Sequence, residues 1–261
     1  MNETAEAELV TEFSGAVARA TFNRPSARNA MTWAMYNGLV EFCTRVDNDP
    51  SISAVVLRGA GGEAFVAGTD INQFTEFDGA QDGLAYEKRI DDVLSRLESL
   101  RVPSVAAIDG HAIGGGLSIA AACDLRICTP NAKFGLPIAK TVGNCVSMAA
   151  YARLAALIGP AKTLHLICTA EIVHAEEASA TGLVSELVPA DGLDARVDEL
   201  CDQLLEHAPL TMRASKTALL RLREATLPPG DDLVSMCYGS ADFREGVTAF
   251  VEKRRPHWRA R

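Results

Sequence analysis

No stretch of the sequence approaches the roughly 20 apolar residues that a membrane-spanning helix requires, so no membrane partner is expected. There is no C-x-x-C, and the seven cysteines lie scattered along the chain. Most sit in apolar runs, where a small buried thiol is the expectation. The five histidines show no metal-ligand spacing, which predicts no structural or catalytic metal. Neither G-x-G-x-x-G nor G-x-x-x-x-G-K-[ST] occurs, so a nucleotide-phosphate cradle is not expected, and neither is a bound cofactor. Basic residues are outnumbered: the formal charge is −9, which argues against nucleic acid as a partner of the whole surface. An acidic protein can still bind an anion where the local site is basic. Met1–Glu6 is acidic and lacks the apolar core of a secretory leader, which leads us to expect a cytoplasmic protein.

What is present suits one large α/β domain of ordinary composition, 48% apolar and 23% charged over 261 residues. Leu9–Phe13 and Ala16–Phe22 flank Ser14-Gly15 and read as a hairpin. Thr32 caps a predicted helix to about Asn48, with Trp33, Tyr36, Leu39, Val40, Cys43 and Val46 as its apolar stripe. Ala54–Leu57 reads as a strand. A polar stretch, Asn72–Gly83, precedes a helix over 84–100. On it Tyr86, Ile90, Val93, Leu94 and Leu97 share one face, with Asp91 and Asp92 pointing away, so Tyr86 is the phenol expected to face inward. Helices are predicted after Pro137, over Ala161–Cys168 and over Ala175–Thr181, with a strand at Leu183–Val188. Beyond Leu193 the period is almost wholly helical. We therefore divide the chain into an α/β core, 1–190, and a helical region, 191–261.

Pro103–Asp124, PSVAAIDGHAIGGGLSIAAACD, organises the rest. A buried-strand run, Ser104–Ile108, is broken by Asp109-Gly110, and Gly114, Gly115 and Gly116 then open an Ala-rich helix over Leu117–Cys123. Glycines admit close approach to their backbone, and the first N–H groups of a helix lack partners and carry the positive end of its dipole. Such a helix start can hold developing negative charge on a ligand oxygen. The bland alternative is that the glycines only let strand and helix pack closely. A second stretch, AFVAGTDI (Ala64–Ile71), follows another strand and a glycine loop, and its Gly68-Thr69-Asp70 turn can present a second free N–H.

These two stretches resemble the A-F-x-A-G-x-D-I and [ND]-G-x-x-x-G-G-G segments of the crotonase (enoyl-CoA hydratase/isomerase) family. NRPSARNAM (Asn23–Met31), CDLRICTPNAKFGLP (Cys123–Pro137) and AFVEKR (Ala249–Arg254) resemble further family segments, in order. The resemblance implies a ClpP/crotonase spiral of ββα units with a helical C-terminal trimerisation region, a homotrimer or dimer of trimers, and an acyl-CoA substrate. It also implies that the N–H groups of Thr69 and Gly115 hold the thioester oxygen. CoA contacts fall around Arg28, Ala67, Asp70 and Ile71, with Lys253 reaching a phosphate from a neighbouring subunit.

One departure matters for chemistry. Hydratases of the family carry one glutamate three residues after the middle glycine and another directly after F-G-x-P; here these positions are Ser118 and Ile138. Ile138 cannot move a proton, and Ser118 needs a base beside it. Tyr86, Asn144 and Cys145 are candidates to take over, while His111 is expected to hold its turn in place. The expectation is an enolate-forming acyl-CoA enzyme that is not a simple hydratase. The alternatives are an ordinary enoyl-CoA hydratase of fatty-acid or aromatic-acid degradation, and an inactive CoA-binding or assembly protein.

Overall fold

The computed structural model describes residues 7–260; Met1–Glu6, where a leader was not expected, and Arg261 lie outside the described residues. The chain opens with β1 (Leu9–Ser14) and β2 (Val17–Phe22), antiparallel about a tight turn in which Ser14 pairs with Val17. Helix α1 spans Trp33–Asn48, and Thr32 caps it by accepting from the Met35 N–H at 3.2 Å. Met35 and Phe42 are buried on α1, whereas Trp33 and Val40 of the expected stripe are half-buried.

Three strand–strand–helix units follow. They are β3 (Ala54–Gly59), β4 (Ala64–Val66) and α2 (Ala80–Glu98); β5 (Ser104–Ile108), β6 (His111–Ile113) and α3 (Gly115–Ala122); and β7 (Leu125–Cys128), β8 (Lys133–Gly135) and α4 (Met148–Thr169). Next come β9 (Val173–His174), α5 (Ala175–Ala180), β10 (Glu186–Leu187), α6 (Leu193–Glu206), α7 (Pro209–Glu224), α8 (Asp231–Tyr238) and α9 (Ala241–Val251). The first strand of each unit joins a six-stranded sheet, β1-β2-β3-β5-β7-β10, and the second joins a four-stranded sheet, β4-β6-β8-β9. This is the spiral of ββα units that the resemblance implies.

The central strands of the larger sheet, β3 and β5, are buried on both faces because both faces are covered. Val55 and Leu57 of β3 point into the main core. Ala54 and Val56 meet Leu193, Val197, Leu200 and Leu204 of α6 on the other side. Some boundaries differ from the sequence reading for local reasons. Helix α2 starts at Ala80 rather than Leu84 because the Asp82 carboxylate accepts from the Asp78 N–H at 2.8 Å and the Gly79 N–H at 3.3 Å. Strand β10 keeps only two residues, since the Leu183 carbonyl accepts from Arg126 Nε and the Val184 N–H donates to Ala178. At Gly159, by contrast, the expected break is present: its φ of +76° and ψ of 157° are not helical and divide α4 into two helices across a kink. Leu219 and Leu222 on α7 remain exposed. No helix among the described residues is long and apolar enough to cross a membrane.

A buried ion cluster ties α2 to α4 and α7. Arg153 grips both Glu98 oxygens at 2.8 Å, and Arg223 donates to Glu98 Oε2 at 2.7 Å. Burial raises the Glu98 carboxyl, but the two guanidinium groups outweigh it and hold the group below its ordinary value. Replacing Glu98 by Gln strands the Arg153 charge and is expected to cost about 3–5 kcal/mol. In urea this appears as a lower midpoint at unchanged m-value; an unmoved midpoint would contradict it.

Candidate active site

The β6–α3 junction sets one wall of the site. Gly114 leaves β6 at φ +57° with its N–H on the Gly135 carbonyl at 2.9 Å, and α3 starts at the next residue. At Gly116 a Cβ would fall 1.9 Å from the Val66 carbonyl oxygen, so α3 can begin against β4 only with glycine there. Close packing therefore accounts for Gly116. Gly115 differs: a Cβ there would face Thr69, 3.2 Å from Oγ1 and 3.5 Å from the amide nitrogen. The turn carrying Thr69 is pinned on both sides, because Met31 N donates to the Gly68 carbonyl at 2.8 Å and Asp70 N to the Met31 carbonyl at 3.0 Å. Among the described residues, neither the Thr69 nor the Gly115 N–H has a backbone acceptor.

These groups border a cavity of about 870 Å³. Of the residues singled out in the sequence, Arg28, Ala67, Thr69, Asp70, Ile71, Tyr86, Gly115, Ser118, Ile138, Asn144 and Lys253 all line it. Arg24 reaches in beside Asp70, 3.3 Å away, and Asp70 caps the short turn from Ile71 to Phe74 by accepting from the Asn72 N–H. Lys253 borders the cavity of its own chain, whereas the resemblance had placed it in a neighbour's site. His111 takes the expected structural part, with its ring Nδ1 3.0 Å from the Glu63 carbonyl.

Cys145 is a correction. It is buried and absent from the cavity lining; its thiol donates to the Leu233 carbonyl at 3.5 Å and lies against Cys237. Among the described residues the Ser118 hydroxyl has no base as a hydrogen-bond partner: it turns back to the Gly114 carbonyl at 3.4 Å. Tyr86 is not alone in facing inward, since Tyr36 and Tyr238 are also buried. Thr69 Oγ1 sits between two phenols, 2.8 Å from Tyr36 Oη and 2.7 Å from Tyr86 Oη. Burial pushes the Tyr36 phenol up to about 12 and that of Tyr86 well above its ordinary value, so both stay protonated at neutral pH.

The residue that sequence reasoning missed is Glu87. It follows Tyr86 on α2, is 6% exposed and borders the cavity. Its Oε1 accepts from Tyr238 Oη at 2.5 Å and its Oε2 from the Ser147 N–H at 2.9 Å. Asn144 Nδ2 donates to Tyr238 Oη at 3.1 Å, so Asn144 acts behind the phenol. Burial, aided by the nearby Asp91 charge, pushes Glu87 up to about 7 against the lowering pull of the Tyr238 and Ser147 donors. Asp91, expected to point away, also lines the cavity and accepts from Ser147 Oγ at 2.7 Å; burial raises its carboxyl too. A signal existed. Glu87, Asp91 and Glu98 fall at i, i+4 and i+11, an acidic line beside the apolar stripe of α2.

The cavity thus combines two backbone donors, a basic rim and a buried carboxylate poised near neutrality. The chain is similar in sequence and fold to known proteins. The chain is 34% identical over 254 residues to a short-chain-enoyl-CoA hydratase of Clostridium acetobutylicum, with 95% of each chain covered. A methylmalonyl-CoA decarboxylase solved with 2-nitronate-propionyl-CoA superposes at TM-score 0.88, with 25% identity and 97% and 99% of the two chains covered. A monofunctional enoyl-CoA isomerase from M. smegmatis superposes at 0.71, with 29% identity and 84% and 95% covered. The family described as enoyl-CoA hydratase/isomerase matches residues 12–261, and with a fold and a cavity of this kind the chain belongs to that family.

Proposed function

We propose that the protein moves a proton at the α-carbon of an acyl-CoA thioester and shifts a double bond, rather than adding water across one. The thioester oxygen sits between the Thr69 and Gly115 N–H groups, which take up the charge of the enolate as it forms. Arg28, Ala67, Asp70, Ile71 and Lys253 hold the CoA portion. Glu87 takes the α-proton and returns it further along the chain; a double-bond shift needs one such shuttle. Hydration needs one group to activate water and another to protonate the α-carbon.

The observation that carries this reading is Glu87 itself, a buried carboxylate on the cavity wall pushed up to about 7. Ser118 and Ile138, at the positions read as those of the family's two glutamates, offer no carboxylate, and Ile138 lines its part of the cavity with hydrocarbon. Tyr86 supports the site through Thr69 and stays neutral. A second reading, hydration, is favoured by Asp91 standing one turn from Glu87, which supplies two carboxylates, and by the name of the Clostridium relative. A 3-enoyl-CoA distinguishes them: the proposal expects conjugated enoyl-thioester absorbance to grow on adding the protein. No growth with a 3-enoyl-CoA, alongside rapid bleaching of crotonyl-CoA, would favour the hydratase.

A further inference from the structure

Glu87, Asp91 and Ser147 border two cavities. One face lines the 870 Å³ acyl cavity; the other lines a separate cleft of about 570 Å³ between α2, the start of α4, the Leu227–Gly230 segment and the first residue of α8. The cleft reaches the surface past Gln81, Ala85, Lys88 and Asp92, which are all exposed. The two carboxylates stand one turn apart on α2 and are tied to one residue, Glu87 through the Ser147 N–H and Asp91 through the Ser147 hydroxyl. Glu87 is buried, whereas Asp91 is half-buried, so the pair runs from the interior toward solvent.

We propose that Asp91 is a proton relay: it carries protons between Glu87 and the water of the α2–α8 cleft, on the side of the cavity away from the CoA mouth. The inference rests on Glu87 as the proton-transfer group. A substrate seated on Thr69 and Gly115, with its CoA portion against Arg28 and Lys253, fills the mouth through which solvent would otherwise reach Glu87. While it resides on Glu87, before its return further along the chain, the proton taken from the α-carbon exchanges: it passes to the Asp91 carboxylate and leaves through the cleft. A solvent proton returns by the same steps in reverse, so no co-reactant is consumed. A purely structural account gives Asp91 only the hydroxyl of Ser147, which also caps α4 by accepting from the Ala150 N–H at 3.1 Å. That account leaves the shared wall and the second opening without a use.

Wash-in of deuterium at the α-carbon of butyryl-CoA in heavy water, followed by NMR, tests the relay. Net exchange requires both abstraction and replacement of the abstracted proton by solvent. Asp91→Asn is expected to slow wash-in about tenfold or more, less than the roughly 10²–10⁴-fold lost with a group that meets the reacting carbon itself, at unchanged butyryl-CoA affinity. Ala85→Trp narrows the cleft mouth, leaves both carboxylates in the sequence and is expected to slow wash-in severalfold. In Asp91→Ala, added formate, small enough for the cleft, is expected to restore part of the rate, which a structural role would not produce. Wash-in at the unmodified rate in Asp91→Asn overturns the relay. If that variant does not fold, an unmodified rate in Ala85→Trp overturns it instead. Absence of wash-in with the unmodified protein overturns the enolate reading, and the relay with it.

Discussion

Glu87→Gln is expected to lower α-proton exchange about 10²–10⁴-fold, the contribution of one positioned acid–base group, while acyl-CoA affinity stays within a few-fold. The substitution keeps the shape and most of the polar contacts. The Gln carbonyl accepts from Ser147, and its amide faces the Tyr238 hydroxyl, where the carboxylate had stood. Only the ability to take a proton is lost. The pH profile gives a second readout. A general base works in its ionised form, and Glu87 is pushed up to about 7, so the rate of the unmodified protein rises from the acid side and levels above that pH. The limb vanishes in the Gln variant. In Tyr238→Phe it moves to higher pH, because the hydrogen bond that favours the ionised carboxylate is gone. A rising limb that persists in Glu87→Gln would assign the base elsewhere.

The second large effect is at Gly115. Gly115→Pro is expected to reduce turnover by about 10²–10³-fold or more, as loss of one oxyanion donor does. Gly115 is the first residue of α3, where a helix tolerates proline because that N–H has no partner within it. The fold should therefore survive while the donor disappears. The ring also enters space bounded by Tyr36 Oη and Thr69 Oγ1, 3.0 and 3.2 Å from a Cβ at this position, so affinity falls as well. Thr69→Ala is the control. It removes the hydroxyl between Tyr36 and Tyr86 but keeps the backbone N–H, and a change of less than about tenfold is expected if the amide carries the effect. A folded Gly115→Pro protein with unchanged binding and turnover would exclude this amide.

These two residues were unequally legible in the sequence, for a physical reason. The chemistry assigned to Gly115 and Thr69 belongs to the backbone, and a backbone arrangement of this kind demands glycine at fixed places. The requirement at Gly116, set by the Val66 carbonyl, and the positive φ at Gly68 and Gly114 leave a mark in the amino-acid string itself. Glu87 leaves little. An acidic residue on a helix is ordinary until Tyr238, 151 residues away, and Ser147, 60 residues away, close over it and desolvate it. Gly83, one turn earlier on α2, permits this: a Cβ there would fall 2.2 Å from the Tyr238 ring. Cys145 was misread in the opposite sense, since a residue adjacent to Asn144 need not share its exposure to the cavity. The two- and three-residue strands of the smaller sheet are too short to show a period of their own. They form because the longer strands have already fixed the chain on either side.

The time course of crotonyl-CoA absorbance with the unmodified protein, beside the Ser118→Glu, Ile138→Glu double variant, bears most directly on the claim that the proton is moved from α2 and not by a water-adding pair on α3 and the segment after β8. The account predicts an unchanged trace for the unmodified protein and a decaying one for the double variant, in which two carboxylates again face the oxyanion donors. Robust decay with the unmodified protein, undiminished when Glu87 is replaced by Gln, would contradict it.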